Sequence, residues 1–581
     1  MSEIRNPLTR RQALVGAGAV TLGAIAFTTS KAHAAGKWDQ EADIVVVGSG
    51  VGASTAAIVA HDNGDQVVAI DKAPIPGGTS AKSAGVLWVP NNFTLKAKGI
   101  DDAREDCLRF MARFSYPERY NASEPHLGLS ARACALLEAF YDNSSAAVDQ
   151  LRGSGALNVA EWRMFALDRS ATDYLDGVPE NKVPAGRTLG AVKADGKVGG
   201  GVDLMAQLNA AMRKRGIPLL LNHRAMRLVM DDGGRAIGVE AESAGKVVTL
   251  RARKALIFAT GGYVHNADFV ENYQRNRLYG SCAMPWSTGD FINIAGAAGA
   301  RMGNLSGAWR TQILLEEALH DSKLAAGVYF PPGDSMLQVN RHGRRAVNEN
   351  RNYNDRTEVH GIFDPAAVEF PNHLMFMVYD QRTAEAFGGV YPLPDKPTGA
   401  PHVLHGDTLD DLATHLAQRL QEIAARTGNL SLAADFARNL KATIARYNDF
   451  ARKGVDLDFS RGASGYDREW HKVFSPMRTD TPWKPNPYPS ANLHPLRDKG
   501  PYYALILAAG ALDTNGGPMI DASARVLNTR DQPIPGLYGA GNCIASPSRL
   551  AYWGAGHTLA QSMTFGYIAA NAAHREAAAG A

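Results

Sequence analysis

The chain has 581 residues, with hydrophobic residues at 45%, charged residues at 20% and a formal net charge of +3. That length exceeds what a single compact core usually holds, so two or more domains are expected. The composition excludes disorder, collagen-like repetition and a coiled coil, and no basic stripe marks a nucleic-acid partner.

The first 34 residues stand apart. Arg10-Arg11 precede an uncharged run from Ala13 to Ser30, followed by Ala32-His33-Ala34. This resembles a twin-arginine export signal over residues 1–34, implying the twin-arginine export machinery as a partner and the periplasm or cell envelope as destination. An N-terminal anchor is the alternative, against which the run is short for a span and filled with small residues. Removing the segment takes away Arg5, Arg10, Arg11, Lys31 and Glu3, which leaves the chain formally neutral.

From Asp43 the sequence reads as strand, tight turn and helix: an apolar β-branched run to Val47, then Gly48-Ser49-Gly50-Val51-Gly52-Ala53. Gly48 permits the turn, Gly50 admits a pyrophosphate to the backbone, and Ala53 lets helix and sheet pack closely. The helix N-terminus then offers amides to phosphate. With 58 glycines in the chain such a string arises by chance, so its context decides. A second strand, Gln66 to Ile70, ends in Asp71-Lys72, about 20 residues on, where a carboxylate meets a ribose hydroxyl. The site is a dinucleotide site.

Three later segments narrow the dinucleotide. Gly77 to Gly85 is a small-residue run with Gly78, Thr79, Ser80, Ser83 and Gly85 as candidate contacts. Ala255 to Gly262 is a strand running into Ala259, Thr260 and Gly261, and Ile534 to Asn542 is another, running into Gly541 and Asn542. The four cysteines, Cys107, Cys134, Cys282 and Cys543, have neither C-x-x-C nor haem-attachment spacing, which argues against metal sites and leaves disulfides open.

In this order the glycine segments resemble the flavoprotein family of fumarate reductases and 3-ketosteroid dehydrogenases, over nearly everything from residue 40 to 575. The resemblance implies FAD and an α/β fold: a discontinuous Rossmann-like FAD-binding domain at 38–303 and 497–581, with an α+β catalytic cap at 304–496. Helices are expected at 409–426 and 432–452 within that cap. The helix starting near Gly556 would aim its positive end at the flavin.

Within the family, Trp88-Val89-Pro90-Asn91-Asn92, Asn340 to Glu349 with Tyr353 beyond, Asp458 to Gly462, and Tyr552-Trp553-Gly554-Ala555-Gly556 resemble the ketosteroid branch. The last string matches its Tyr-x-Gly-Ala-Gly, which implies that the Tyr552 hydroxyl and the Gly556 amide hold a substrate ketone. Tyr353 then matches the base, and Tyr141 is the candidate second tyrosine bonded to it. His557, beside the glycine, reads more readily as a core histidine than as an acid or base. Desaturation beside a ketone removes an α-proton and a β-hydride, so two donors at the ketone oxygen form an oxyanion hole. The expected partners are a cyclic ketone, steroid or smaller, and an external acceptor such as a quinone.

Two departures matter. Ala545 to Ala551 is one residue longer than in the ketosteroid branch and carries Arg549 at the border of the ring pocket, which leaves a smaller or more polar cyclic ketone open. The fumarate branch's histidine before the glycine pair is absent from Leu512 to Gly517, so a fumarate-type reductase, holding a carboxylate through Arg549, is the second reading. An exported flavin carrier without turnover is the third.

Overall fold

The computed structural model describes residues 30–31, 38–164, 168–473, 478 and 480–579. Residues 1–34, where the export signal is expected, lie outside the described residues except for Ser30–Lys31. No helix of the described residues is long and apolar enough to cross a membrane.

The first sheet is built around parallel strands Gln40–Val47, Val67–Ile70, Lys246–Phe258 and Pro533–Gly539. Their apolar β-branched sequences are buried on both faces, as parallel strands covered by helices must be. Register puts Val47 opposite Ile70, and Phe258 opposite both Val47 and Gly539. Four strands therefore stop level with one another. The glycine turns expected from sequence leave from the same edge, the carboxyl edge where open α/β sheets bind ligands.

Helices Val51–Asp62 and His557–His574 cross against this sheet at glycine. A Cβ at Gly52 would lie 2.8 Å from the Ser562 carbonyl, and one at Gly566 2.3 Å from the Gly52 carbonyl. The two helices touch because neither residue has a side chain.

The second sheet has seven strands, with Ala308–Leu314, Tyr502–Thr514 and Leu374–Asp380 antiparallel at its centre. Helices Leu409–Glu422 and Phe436–Lys453 cover one face, setting Leu412, Leu416, Leu420, Leu440 and Ile444 on Ile313, Phe376 and Ile506. These fall on the two helices expected there, with the first ending before Ile423 and the second starting at Phe436 and not at 432. The sheet also draws in Gly280–Ser281 and all of Tyr502–Thr514, which lie outside the 304–496 boundaries read from loop-rich segments. Tyr502–Thr514 is a continuous apolar run buried on both sides, the signature of a central strand, so the chain rejoins the first sheet only at Arg525–Leu527. All four cysteines are buried and free.

Candidate active site

One cavity of about 550 Å³ runs from the level strand ends to the second sheet. Gly48, Ser49, Gly50, Gly52, Asp71, Lys72, Gly78, Thr79, Ser80, Ser83, Gly85, Ala259, Thr260, Gly261, Gly541 and Asn542 all line it. Ala53 stands behind the wall, its Cβ 3.5 Å from where a Cβ on Gly48 would sit.

The first turn cannot carry a side chain at Gly48. Gly48 has φ +120°, and a Cβ there would lie 2.3 Å from the Ala259 carbonyl. Ser80 Oγ accepts from the Val51 amide at 3.1 Å, tying the small-residue run to the start of helix Val51–Asp62. Asp71 closes the other end: it accepts from Ser49 Oγ at 2.5 Å and from the Ala73 amide at 2.8 Å. Burial pushes its carboxyl up, against those bonds. Lys72 is committed to Thr288 Oγ1 at 2.5 Å and to Asp290 at 2.9 Å. A backbone cradle at a helix N-terminus with a carboxylate at the second strand end fits the pyrophosphate and ribose of FAD.

Further along, the cavity becomes an aromatic chamber walled by Trp162, Tyr174, Trp309, Tyr329, Phe330, Tyr353 and Tyr552. Tyr353 opens the short helix Tyr353–Thr357, whose first turn is capped by Asn352 accepting from the Asp355 amide. Next to it, Asn354 accepts from the Arg310 amide and donates to the Leu550 carbonyl, both at 2.9 Å. That side chain joins the second sheet to the segment entering Tyr552. The Tyr552 ring then lies 5.4 Å from both Tyr353 and Tyr174.

The Tyr174 hydroxyl donates to the Tyr353 hydroxyl at 3.1 Å. Tyr174, and not Tyr141, is thus the second tyrosine. Tyr141 lies within helix Ala131–Gly153 and donates to the Asp102 carbonyl, outside the cavity. Its place on an amphipathic helix is the physical reason it packs in the core. Tyr174 was missed because it sits in an irregular segment with no periodicity to mark it. Burial pushes Tyr353 and Tyr174 well up, and Tyr552 up less, since hydrogen bonds from Tyr353 and Thr558 oppose it.

Gly556 caps helix His557–His574 at φ +89°, and a Cβ would lie 2.4 Å from the Val86 carbonyl. Only glycine brings this helix start to the chamber wall, with Thr558 and Ser562 beside it. His557 turns away into the core. Its Nε2 meets Ser548 Oγ at 2.8 Å, and burial lowers its pKa to about 3, so it is a neutral core histidine.

Arg549 lies outside the cavity, pairing with Glu118 at 2.6 Å over the Tyr116 ring. The longer segment turns its charge outward through a left-handed Arg549 at φ 55°. No carboxylate in the chamber can be held there by Arg549. Lys82 instead lines the cavity, exposed and without an ion pair or hydrogen bond among the described residues.

The FAD binding domain family matches residues 43–559. The chain is 32% identical to 4-oxocyclohexanecarboxylate 2-dehydrogenase of Sinomonas cyclohexanicum, over 91% of this chain and 92% of that one. It is 30% identical to 3-oxosteroid 1-dehydrogenase of Mycobacterium tuberculosis (strain ATCC 25618 / H37Rv), over 91% and 98%. Its fold matches the crystal structure of 3-ketosteroid delta1-dehydrogenase from Sterolibacterium denitrificans in complex with 1,4-androstadiene-3,17-dione, with TM-score 0.75 and 24% identity, covering 92% of this chain and 99% of that one.

Proposed function

Since the chain belongs to the FAD binding domain family and is an FAD-dependent oxidoreductase acting on CH–CH groups, we propose that it desaturates a cyclic ketone beside its carbonyl. The observation that carries this reading is the meeting of Tyr353, Tyr174 and Tyr552 in one aromatic chamber, continuous with the cofactor cradle. Bound in that cradle, FAD supplies the acceptor for the β-hydride.

Tyr552 Oη and the Gly556 amide hold the ketone oxygen, where negative charge grows as the α-proton leaves. Each such donor in a dry site contributes about 3 kcal/mol to the transition state. Tyr353 Oη takes the α-proton as its ionised phenolate, and the Tyr174 hydroxyl, which donates to that oxygen, stabilises the anion until the proton arrives. The buried rings exclude water from the chamber.

The substrate is a ring ketone small enough for the chamber, with a carboxylate across the ring as the favoured form. Lys82, an uncommitted ammonium lining the cavity, supports that choice over a neutral steroid. Electrons leave to an external acceptor such as a quinone, and residues 1–34 direct export by the twin-arginine route to the periplasm or cell envelope. Replacing Arg10 and Arg11 with lysine should hold the protein in the cytoplasm, which cell fractionation would read.

An anaerobic screen tests the function. 4-Oxocyclohexanecarboxylate should bleach the flavin of the wild-type holoenzyme, while Tyr353→Phe and Tyr552→Phe should bleach at least 100-fold more slowly, on the order expected for losing an acid–base or oxyanion group. A flavin left oxidised by every ring ketone tried, with bleaching instead by a reductant only, would sink the reading.

A further inference from the structure

Arg356 follows Tyr353 by three residues on the short helix Tyr353–Thr357 and is 1% exposed. All its hydrogen bonds go to neutral oxygens. Nε donates to Gln312 Oε1 at 2.8 Å. Nη1 donates to the Arg351 carbonyl at 2.6 Å and the Glu349 carbonyl at 3.3 Å. Nη2 donates to the Val328 carbonyl at 2.7 Å and the Tyr329 carbonyl at 3.3 Å.

The neighbouring arginines differ. Arg345 pairs with Glu349 and Asp456, Arg351 with Asp355, and Arg461 reaches Glu349 at 3.5 Å. Arg356 has no carboxylate partner among the described residues. A buried cation without a counterion is costly, and natural cores keep one where its charge or its geometry is needed.

The geometry shows the use. Two of the carbonyls belong to Val328–Tyr329 and two to the Glu349–Arg351 stretch, so one planar fork pins both backbones that present Tyr329 and Tyr353 to the chamber. The charge has an outlet as well. Tyr466, fully buried, lies 5.1 Å ring to ring from Tyr174, which bonds Tyr353. Burial raises Tyr466, Arg356 and Arg351 pull it down, and Asp467 and Asp355 push it up. The two guanidinium groups balance the two carboxylates, and removing Arg356 would leave one cation against two anions on that side. The other groups facing the cluster or Arg356 are Tyr329, Cys282 and Tyr552, which burial pushes up and leaves uncharged, Glu349, which Arg345 and Arg461 already hold, and His360, which burial keeps neutral with a pKa of about 4.

We propose that Arg356 is a positioning residue for proton abstraction, clamping the Tyr329 and Tyr353 backbones and supplying a positive charge that offsets the nearby carboxylates and so favours the ionised form of the tyrosine cluster. The proton moves from the substrate α-carbon to Tyr353 Oη, and Arg356 neither gains nor loses one. The inference rests on the proposed desaturation.

The test uses FAD-loaded wild type, Arg356→Gln and Arg356→Lys with 4-oxocyclohexanecarboxylate, following kcat, KM and the pH dependence of kcat. Arg356→Gln should load FAD, keep KM within about threefold, lose kcat about 100-fold at pH 7 and move the rising limb of the pH profile up by about one unit or more. Arg356→Lys, which keeps the charge and loses the fork, should leave that limb within about 0.3 units of wild type. An unmoved limb in Arg356→Gln, or a loss carried by KM, overturns the proposal. Should Arg356→Gln be insoluble, Arg356→Lys decides alone: a limb displaced by about one unit, or insolubility of this variant too, assigns Arg356 to folding. A wild-type enzyme inert toward every ring ketone overturns the desaturation reading itself, a result distinct from an active wild type with unshifted variants.

Discussion

Tyr174 and Tyr141 are both buried tyrosines, yet only Tyr174 has its hydroxyl in reach of Tyr353. A phenol bonded to the base stabilises it as it changes charge, whereas one bonded to a backbone carbonyl holds a helix in place. Tyr174→Phe should therefore lower kcat at least tenfold with little change in melting temperature, while Tyr141→Phe should leave kcat alone and cost about 1 kcal/mol through its lost bond to the Asp102 carbonyl. Stopped-flow turnover beside a denaturant titration separates them, and equal kinetic losses in both variants would refute the assignment. Lys82 permits a second residue-scale expectation. An exposed ammonium contributes modestly to holding a carboxylate, so Lys82→Met should raise KM for 4-oxocyclohexanecarboxylate about three- to tenfold. The same change should leave KM for cyclohexanone as it is. A parallel rise for both ketones would mean that Lys82 does not read the carboxylate.

Elements deliver these residues by different means. The cofactor wall was legible because continuous apolar runs name the strands, and three of them stop in small residues and glycine while the second stops in Asp71, so Gly48, Asp71, Thr260 and Asn542 could be placed from sequence. Tyr353 and Tyr552 were legible only through motif resemblance, because nothing in their local sequence separates a catalytic tyrosine from a packing one. Tyr174 was invisible, because a side-chain knot and no regular element holds it. Arg187 bonds Asp102 at 2.8 and 2.7 Å and Asp173 at 2.5 Å, all fully buried, and Asp173 also accepts from Trp88 Nε1 at 2.7 Å. The Trp88 to Asn92 string thus acts on the site by locking the residue next to Tyr174. Removing the guanidinium would strand two carboxylates in the core. Arg187→Met should cost about 3–5 kcal/mol, read as a lower urea midpoint at unchanged m-value. A wild-type midpoint would show the knot to be dispensable. Two-sided burial, not sequence order, put strand Tyr502–Thr514 in the second sheet, and loop composition could not reveal that.

At the scale of the whole molecule the two sheets each bury one uncharged histidine, and this couples both to acid. In the first, His557 Nε2 meets Ser548, Nδ1 has no hydrogen-bond partner among the described residues, and the helix N-terminus beside it disfavours a second proton. In the second, His360 Nδ1 donates to the His373 carbonyl at 3.1 Å, and Nε2 accepts from Gln312 Nε2 at 3.1 Å, which requires the neutral ring. Burial lowers the two pKa values to about 3 and about 4, below the ordinary 6.5. A depressed folded-state pKa means that the unfolded chain binds the extra proton first, so this stability is present above pH 6.5 and is lost as pH falls toward the folded values. By pH 5 each histidine costs about 2 kcal/mol. Asp513 acts in the opposite sense: burial raises its carboxyl to about 6, so it regains about 1 kcal/mol over the same interval. From these three groups the loss of about 3 kcal/mol is a large fraction of a typical domain's stability of about 5–15 kcal/mol. With FAD held saturating, the melting temperature should therefore drop between pH 6.5 and 5, and His557→Gln and His360→Gln should each flatten that slope while lowering the plateau at pH 8. A wild-type melting temperature unchanged from pH 7 to 5 would show that the histidines are not held neutral, because no other reading of their burial leaves the folded state indifferent to a proton that the unfolded chain binds.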